Sequence, residues 1–276
     1  MSDDAPQPDR VEGAPHPRET ARLIGQDAAQ RAFLDAFTSG RLHHGWLITG
    51  PRGVGKATLA WAIARFLLAT PAPGADDGLF GAPPPPESLA IPPDHPVATR
   101  LLAGSEPGFY HITRRVNPDT GRLRPMIVAE DVRELNRFLQ LSATEGGARV
   151  VLIDSADEMN VQAANALLKM LEEPPARTTI LMVSHQPARL LPTIRSRCRE
   201  LRLGNLGGLD IYAELIGILG SLPRLDRPRA LRLAEAAAQR GAEERLDLLI
   251  TLFDTALSRL ARTGAMGQAP LPEAAP

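Results

Sequence analysis

A glycine-rich loop between a strand-like and a helix-like segment limits the folds open to this chain more than any other feature. Residues 46–48 are apolar and predict a buried strand, and apolar residues recur at helical spacing after the loop, namely Leu59, Ile63, Phe66 and Leu67. At such a turn, glycine backbone can approach an anion closely while the N–H groups of the first helical turn point at it. We therefore predict a phosphate-binding loop built from Gly50, Gly53, Gly55 and Lys56, although a plain tight turn could contain the same glycines.

One part of a magnesium-dependent phosphate loop is missing. The hydroxyl that ligates Mg²⁺ normally follows the lysine directly, but position 57 is alanine. Thr58 comes next, and because neighbouring helical residues are rotated by roughly 100°, its oxygen is expected to face elsewhere. ATP is therefore a possible ligand whose binding would be weak or absent, since Mg²⁺ normally neutralises part of the phosphate charge.

A second apolar strand is predicted over residues 149–153, and it ends in Asp154. A nucleotide hydrolase needs two carboxylates at this point, one beside the metal and one that polarises the attacking water. Here Ser155 follows Asp154, so Asp157 or Glu158 would have to bend back to supply the base. Asp154 could also be an ordinary turn carboxylate. We predict a chain that keeps an ATPase fold with little or no hydrolysis of its own.

Composition excludes several classes of protein. A length of 276 residues suits about two domains. A formal net charge of −1 gives no overall basic field for nucleic acid, and an arginine cluster around residues 117–121 fits a solvated hairpin as well as DNA contact. Long apolar runs and a signal region are absent from the sequence, which predicts a cytoplasmic protein. The only cysteine, Cys198, excludes internal disulfides and a cysteine-rich zinc module.

The order of the segments predicts an α/β domain followed by a helical one. Strand and helix patterns alternate, which implies a parallel sheet covered by helices on both faces, with its ligand site at the carboxyl ends of the strands, where Gly50, Asp154 and Ser184 fall. A capping box is predicted at Asp27 and Gln30. The expected parts are a disordered segment (1–19), the α/β domain (20–203) with a proline-rich extended insertion (71–96), a linker (204–209), a helical domain (210–262) and a disordered tail (263–276).

Three passages resemble the AAA+ clamp-loader family of bacterial DNA replication. They are residues 41–46 ahead of the glycine loop, residues 165–175 with the sequence NALLKMLEEPP, and residues 193–198 with the sequence TIRSRC. The resemblance covers about residues 20–203, and its second and third passages are far more specific than the glycine loop. It implies a P-loop AAA+ core followed by a small helical collar-like domain.

The resemblance also implies partners and roles for two residues. Clamp-loader subunits form an open ring in which each ATP lies between neighbours, so Arg197 is expected to be an arginine finger that acts in trans on a neighbouring subunit. Ser184 holds the position of the residue that senses the terminal phosphate, although it could equally be a capped strand end. The implied partners are other clamp-loader subunits, with the sliding clamp and primed DNA reached through the complex and no membrane. Arg195, Arg197 and Arg199 could instead merely solvate the edge of a strand.

The chain departs from the family in three ways. A proline-rich insertion stands where many members carry a zinc module, so no structural zinc and no other metal is predicted. A three-helix lid is apparently absent, and the collar is short. The expected function is that of a polymerase holoenzyme subunit that helps to load the clamp. The alternatives are an active ATPase motor subunit, which would need Thr58 or a water for Mg²⁺, and a scaffold that binds no nucleotide.

Overall fold

Five parallel strands form the central sheet of the N-terminal unit in the computed structural model. The strands are β1 Gly45–Thr49, β2 Phe109–Ile112, β3 Arg149–Ile153, β4 Thr178–Ser184 and β5 Arg199–Arg202. Their order in the sheet is β2-β3-β4-β1-β5, and all four pairings are parallel. Every residue of β1, β3 and β4 is buried, as expected for parallel strands that are covered on both faces. The predicted α/β fold is confirmed.

The structure describes residues 16–20, 23, 26–71, 84–117, 120–141 and 147–204, and further along the chain residues 215, 218–219, 226–237, 249–254 and 256–257. The chain divides into two units, Met1–Gly204 and Asn205–Pro276. The sheet and the glycine loop belong to the first unit.

Helices cover both faces of the sheet and produce two apolar layers. They are α1 Asp27–Thr38, α2 Lys56–Ala69, α3 Pro96–Ala103, α4 Ala129–Leu141, α5 Val161–Glu172 and the short α6 Pro192–Arg195. Because successive side chains of β1 point to opposite faces of the sheet, Trp46 and Ile48 lie in the apolar layer with α1 and α2. Leu47 lies in the layer with α4 and α5. α3 and β5 were not predicted, because α3 is short and directly follows the proline-rich segment, while β5 is short and mostly charged.

Residues 16–20 have a defined conformation, which differs from the predicted disorder of residues 1–19 at its last four residues. Residues 17–19 form a 3₁₀ turn, and the His16 ring lies 6.0 Å from the Trp61 ring between centroids. Arg65 of α2 donates hydrogen bonds to the carbonyl oxygens of Arg18 at 2.9 Å and of Thr20 at 2.8 Å. The contacts that order this polar segment come from α2, so local sequence could not reveal them. Residues 1–15 lie outside the described residues.

The start of α1 also differs from the prediction. Gln26 is the N-cap residue and makes no side-chain cap, while Asp27 already belongs to the first turn, so the predicted capping box is wrong. An acidic residue in the first turn still complements the helix dipole. The amide of Gln26 instead donates to the carbonyl oxygens of Val54 at 3.2 Å and of Gly204 at 3.0 Å. This side chain therefore ties the glycine loop to the end of the first unit.

The proline-rich insertion is only partly described, and its last part is not a plain surface spacer. Leu89 is buried with 3% of its surface exposed, and Ile91 packs against the same apolar layer as α2. The His95 imidazole then caps α3 by accepting from the Val97 N–H at 3.2 Å. Two apolar residues among the prolines thus anchor this segment to the core. Residues 72–83 lie outside the described residues.

The described elements of the second unit are helical. They include α7 Arg227–Ala237, and a small apolar cluster contains Leu215, Ile218 and Leu233. The predicted linker beyond Gly204, most of the predicted helical domain (210–262) and the tail (263–276) lie outside the described residues, so the missing lid and short collar stay predictions. Among the described residues, none of the helices has the length and apolarity needed to cross a membrane.

Candidate functional site

The glycine loop connects β1 to α2 and requires glycine for both conformation and space. Gly50, Gly53 and Gly55 have φ angles of +144°, +81° and +87°, which L side chains rarely adopt. A Cβ atom on Gly50 would lie 2.4 Å from the Leu203 carbonyl oxygen, and one on Gly55 would lie 2.6 Å from Leu23 Cδ1. The loop therefore has the strand-to-helix geometry predicted for phosphate binding, and the first N–H groups of α2 are directed into it.

Lys56 begins α2 and is almost completely buried, with 3% of its surface exposed. Its ammonium donates to the carbonyl oxygen of Gly50 at 2.8 Å and to that of Pro51. Burial lowers the pKa of Lys56 to about 8, while the negative charges of Asp157 and Asp154 oppose this change. The lysine is thus still largely charged at neutral pH, and two of its three N–H donors are bonded to carbonyl oxygens of the loop itself.

The carboxylate expected at the end of β3 is present, and a second one lies beside the same lysine. Asp154 is buried, with 7% exposed, and its N–H donates to the Ile112 carbonyl at 2.9 Å. Ser155 adopts a left-handed conformation with φ +57°, which turns the chain into the 3₁₀ segment 156–158. Asp157 is thereby folded back into the protein, where it is 8% exposed and contributes to the electrostatics of Lys56.

The two candidate replacement bases have different surroundings. Oδ1 of Asp157 accepts the backbone N–H of His185 at 3.0 Å, at the end of β4. Glu158 instead forms an ion pair with Arg114 at 2.7 Å. Only Asp157 is therefore held among the groups that surround Lys56. The sequence left both residues open because the left-handed turn at Ser155 decides which carboxylate returns.

The carboxyl end of β4 is Ser184, and His185 follows it within range of the charges of Lys56 and Asp157. Ser184 is fully buried, and its hydroxyl has no hydrogen-bond partner among the described residues. Alternation places Ser184 on the same face of β4 as Met182, which packs with α4 and α5. Burial lowers the pKa of His185, and the charge of Lys56 lowers it further while Asp157 opposes them.

His185 follows β4 directly and lies within range of the charge of Lys56, whereas the sequence suggested for it no role beyond a possible capped strand end. The signal was present in the alternation of the strand, since His185 continues the face of Leu181 and Val183, which pack in the layer of α2. The sensing role of Ser184 stays a prediction.

The first turn of α2, where the sequence predicts that a ligand of Mg²⁺ is missing, is a regular helix. α2 is helical from Lys56 onward, so Ala57 and Thr58 are separated by a normal helical rotation. Thr58 is half-buried, and its contribution to nucleotide binding stays a prediction. Within the described parts of the chain, there is no group of three or more His, Cys, Asp or Glu side chains placed to hold a metal ion.

Arg197 lies at the opposite edge of the sheet from the glycine loop. It stands between α6 and β5, near the amino end of β1, where a Cβ atom on Gly45 would come within 3.3 Å of the Arg197 carbonyl oxygen. One guanidinium nitrogen is 2.9 Å from Oε1 of Glu172, and the other donates to the Thr193 carbonyl at 3.1 Å. The length of β1, roughly 15 Å at about 3.3 Å per residue, separates this edge from Gly50.

The neighbouring Cys198 has a structural environment. Its side chain is largely buried against the amino end of β1, where its Sγ would lie 3.4 Å from a Cβ atom on Gly45. Burial raises the pKa of this thiol to about 12. Cys198 is therefore protonated at neutral pH and has none of the thiolate character of a reactive cysteine.

The arginine cluster around residues 117–121 has internal partners, which favours the hairpin over DNA contact. Arg114 is paired with Glu158, and Arg115 is paired with Glu134. An antiparallel bridge closes the turn between residues 116 and 123. Two arginines of this segment are therefore neutralised by carboxylates of the same protein.

Comparison with known proteins identifies similar chains. A family model described as "DNA polymerase III, delta subunit" matches residues 93–207. The DNA polymerase III subunit delta' of Pseudomonas aeruginosa is 41% identical over 157 residues, which is 56% of this chain and 41% of that protein. The delta' subunit of Escherichia coli K12 is 34% identical over 168 residues, covering 60% and 44% of the two chains. The tau subunit of Salmonella typhimurium is 29% identical over 240 residues, covering 84% and 33%.

The family-model match over residues 93–207 includes the NALLKMLEEPP passage and the TIRSRC passage. The chain spans less than half the length of these relatives, with 41%, 44% and 33% of them covered. The chain therefore resembles the AAA+ clamp-loader family, and within that family the delta-prime subunits of bacterial DNA polymerase III.

Proposed function

We propose that this chain acts as a delta-prime-like subunit of the clamp loader of DNA polymerase III. It would assist the ATP-dependent loading of the sliding clamp on primed DNA, hydrolyse little or no ATP itself, and provide Arg197 to the ATP site of a neighbouring subunit. The main observation behind this proposal is that Arg197 lies at the amino ends of the parallel strands, whereas the glycine loop lies at their carboxyl ends.

This placement supports a role in trans for Arg197. Its side chain is held near the amino end of β1, whereas Lys56 follows the carboxyl end of the same strand. The distance is greater than an arginine side chain can bridge, so Arg197 cannot assist a phosphate in its own loop. With 37% of its side chain exposed, the guanidinium is accessible to another molecule. A guanidinium supplied by a neighbour stabilises the charge that develops on a transferring phosphate.

The loop itself supports nucleotide contact better than hydrolysis. The N–H groups at the start of α2, together with Lys56, would hold the phosphates of ATP, and Asp154 would lie beside them. Bound ATP supplies the phosphoanhydride bond that is cleaved in the ring. For cleavage in this chain's own site, Ala57 provides no hydroxyl, and Ser155 stands where a second carboxylate is needed. Weak binding without turnover is the behaviour we propose.

A motor subunit akin to tau or gamma is the second candidate. One observation favours it, because Asp157 is folded back beside Lys56 and could stand in for the missing base. Against it, one oxygen of Asp157 already accepts the N–H of His185. The mechanism would also need Thr58 or a water to complete the shell of Mg²⁺.

Steady-state ATP turnover of the isolated chain separates these two candidates. We expect turnover indistinguishable from that of Lys56→Ala, because neither the metal ligand nor the base is in place. Turnover that depends on Lys56 and disappears in Asp157→Asn would instead establish the motor. Equilibrium binding of ATP with and without Mg²⁺ tests a third possibility, a scaffold whose loop takes no nucleotide at all.

Binding of ATP should weaken as the pH rises through about 8. The pKa of Lys56 is about 8, so its charged fraction falls from about nine-tenths at pH 7 to about one-tenth at pH 9. Since only the charged form attracts phosphate, affinity should fall by about tenfold over this range. Lys56→Arg keeps its charge and should bind with little change between the two values. A decline of equal size in the arginine variant would show that the effect comes from the ligand or from another group.

The proposed partners are tau, gamma and delta-like subunits in a hetero-oligomeric ring. The clamp and primed DNA would be contacted through that complex, which agrees with a net charge of −1 and with the internally paired arginines at 114 and 115. Chromosome replication in bacteria takes place in the cytoplasm, and this is the location we propose.

A further inference from the structure

We propose that Glu172 is a positioning residue for Arg197, holding the guanidinium in the orientation in which it meets a neighbouring subunit's ATP. This inference rests on the proposed role of Arg197 in trans and adds a residue to it. Glu172 is the last residue of α5, whereas Arg197 follows α6, so the two come from different parts of the chain.

The guanidinium is held through both of its terminal nitrogens, and these two contacts together with the link through Nε restrict its orientation. One terminal nitrogen is 2.9 Å from Oε1 of Glu172, and the other donates to the Thr193 carbonyl at 3.1 Å. A guanidinium carries five N–H donors in a rigid fork. Within the described residues these are its only hydrogen-bond partners, so most of its donors remain available to a phosphate while the orientation of the fork is set.

The backbone that carries both residues is anchored by the amino end of β1. A Cβ atom on Gly45 would lie 3.0 Å from Leu171 Cδ2, 3.3 Å from the Arg197 carbonyl oxygen and 3.4 Å from Cys198 Sγ. The His44 imidazole is also within 3.0 Å of the Leu171 carbonyl oxygen. The end of α5 and the segment around Arg197 are thus packed against the same strand end, and little relative motion is open to them.

The ion pair itself contributes little to folding stability. The two side chains are 37% and 49% exposed, and exposed pairs of this kind are weak because water and salt screen them. A carboxylate at the carboxyl end of a helix is also disfavoured by the helix dipole. The contact is therefore better explained by what it does to the orientation of Arg197 than by what it adds to the fold.

An Arg197 side chain that is already oriented should increase the rate of phosphate transfer in the neighbouring site. A long side chain that is free to rotate must be ordered when the phosphate is transferred, whereas a positioned one is ordered beforehand. Loss of the hold should therefore lower kcat of the neighbouring site, while KM changes little because ATP is bound mainly by the neighbour's own loop.

The test uses the loader reconstituted from this chain and its companion subunits, with ATP turnover measured in the presence of clamp and primed DNA. We expect Glu172→Ala to lower the kcat of the site that receives Arg197 on the order of tenfold, with KM unchanged. Glu172→Gln keeps an oxygen that can accept the same hydrogen bond and should restore most of the rate. Glu173→Ala removes the same charge from the adjacent exposed residue and should behave as the wild type.

The outcomes separate this inference from the proposed function. If Arg197→Ala lowers turnover but Glu172→Ala does not, the positioning role is wrong and the arginine finger stands. If Arg197→Ala also has no effect, the proposed finger is wrong as well. A faster rate in Glu172→Ala would mean that the carboxylate restrains the arginine, which also overturns the inference. Thermal unfolding of Glu172→Ala should match that of the wild type, so a large fall in Tm would contradict a role confined to Arg197.

Discussion

Replacing Arg197 by alanine should nearly abolish ATP turnover at the site of the neighbouring subunit that receives it. Arginine fingers of GTPases accelerate phosphoryl transfer by about 10³–10⁵. We expect a loss of this order at that one site, so the reconstituted loader should lose the whole contribution of the site to its DNA-stimulated turnover. The effect is large because the guanidinium neutralises charge that appears only in the transition state.

Two matched variants make this result specific. Arg197→Lys keeps a positive charge but loses the planar fork, so its turnover should fall between those of the wild type and the alanine variant. Arg195→Ala removes an exposed charge two residues away, at the last residue of α6, and should leave turnover unchanged. Thermal unfolding of the isolated Arg197→Ala chain should be close to that of the wild type, because its ion pair is exposed. Unchanged turnover in a fully assembled Arg197→Ala loader would exclude the finger.

Replacing Gly50 by alanine should destabilise the first unit much more than the same change at Gly53. Gly50 has φ +144°, and its new Cβ would lie 2.4 Å from the Leu203 carbonyl oxygen, so the backbone of β1 or of residue 203 must move. Strain and overpacking together predict a loss of about 3–5 kcal/mol in the free energy of unfolding.

Gly53 is the matched control for this change. It also has a positive φ, +81°, but a Cβ atom there would meet nothing within 4 Å. Only the conformational penalty applies, and we expect a loss of about 1–2 kcal/mol. Denaturant titration of the two variants measures the difference. Equal losses would mean that the close approach of Gly50 to Leu203 is relaxed at little cost.

The sequence predicted those parts of the fold that carry a repeated pattern. Residues 46–48 and 149–153 are continuous apolar runs, and the helix after the glycine loop repeats its apolar residues at helical spacing, so β1, β3 and α2 were expected where they occur. β5 was missed because its four residues are mostly charged and form a strand only by pairing with β1. The order at residues 16–20 was missed for a similar reason, since Arg65 supplies it from a distant helix.

In the candidate site as well, the sequence predicted local patterns but not the contacts between residues that are distant in the chain. Glycines followed by lysine predicted the phosphate loop, because their spacing reflects a local backbone requirement. The sequence could not decide between Asp157 and Glu158, nor could it show that the charge of Lys56 acts on His185. Those outcomes depend on a left-handed turn and on which face of a strand a side chain occupies.

By itself, then, the amino-acid sequence determined the α/β fold, the glycine-rich loop between β1 and α2 and the absence of a hydroxyl after Lys56, because each of these is a local pattern of residue types. The tertiary structure alone decided that Arg197 and its own loop lie at opposite edges of the sheet, and that Glu172 holds the arginine. These relations join residues that are far apart in the chain, and they arise only when parallel strands bring their amino ends to one edge and their carboxyl ends to the other.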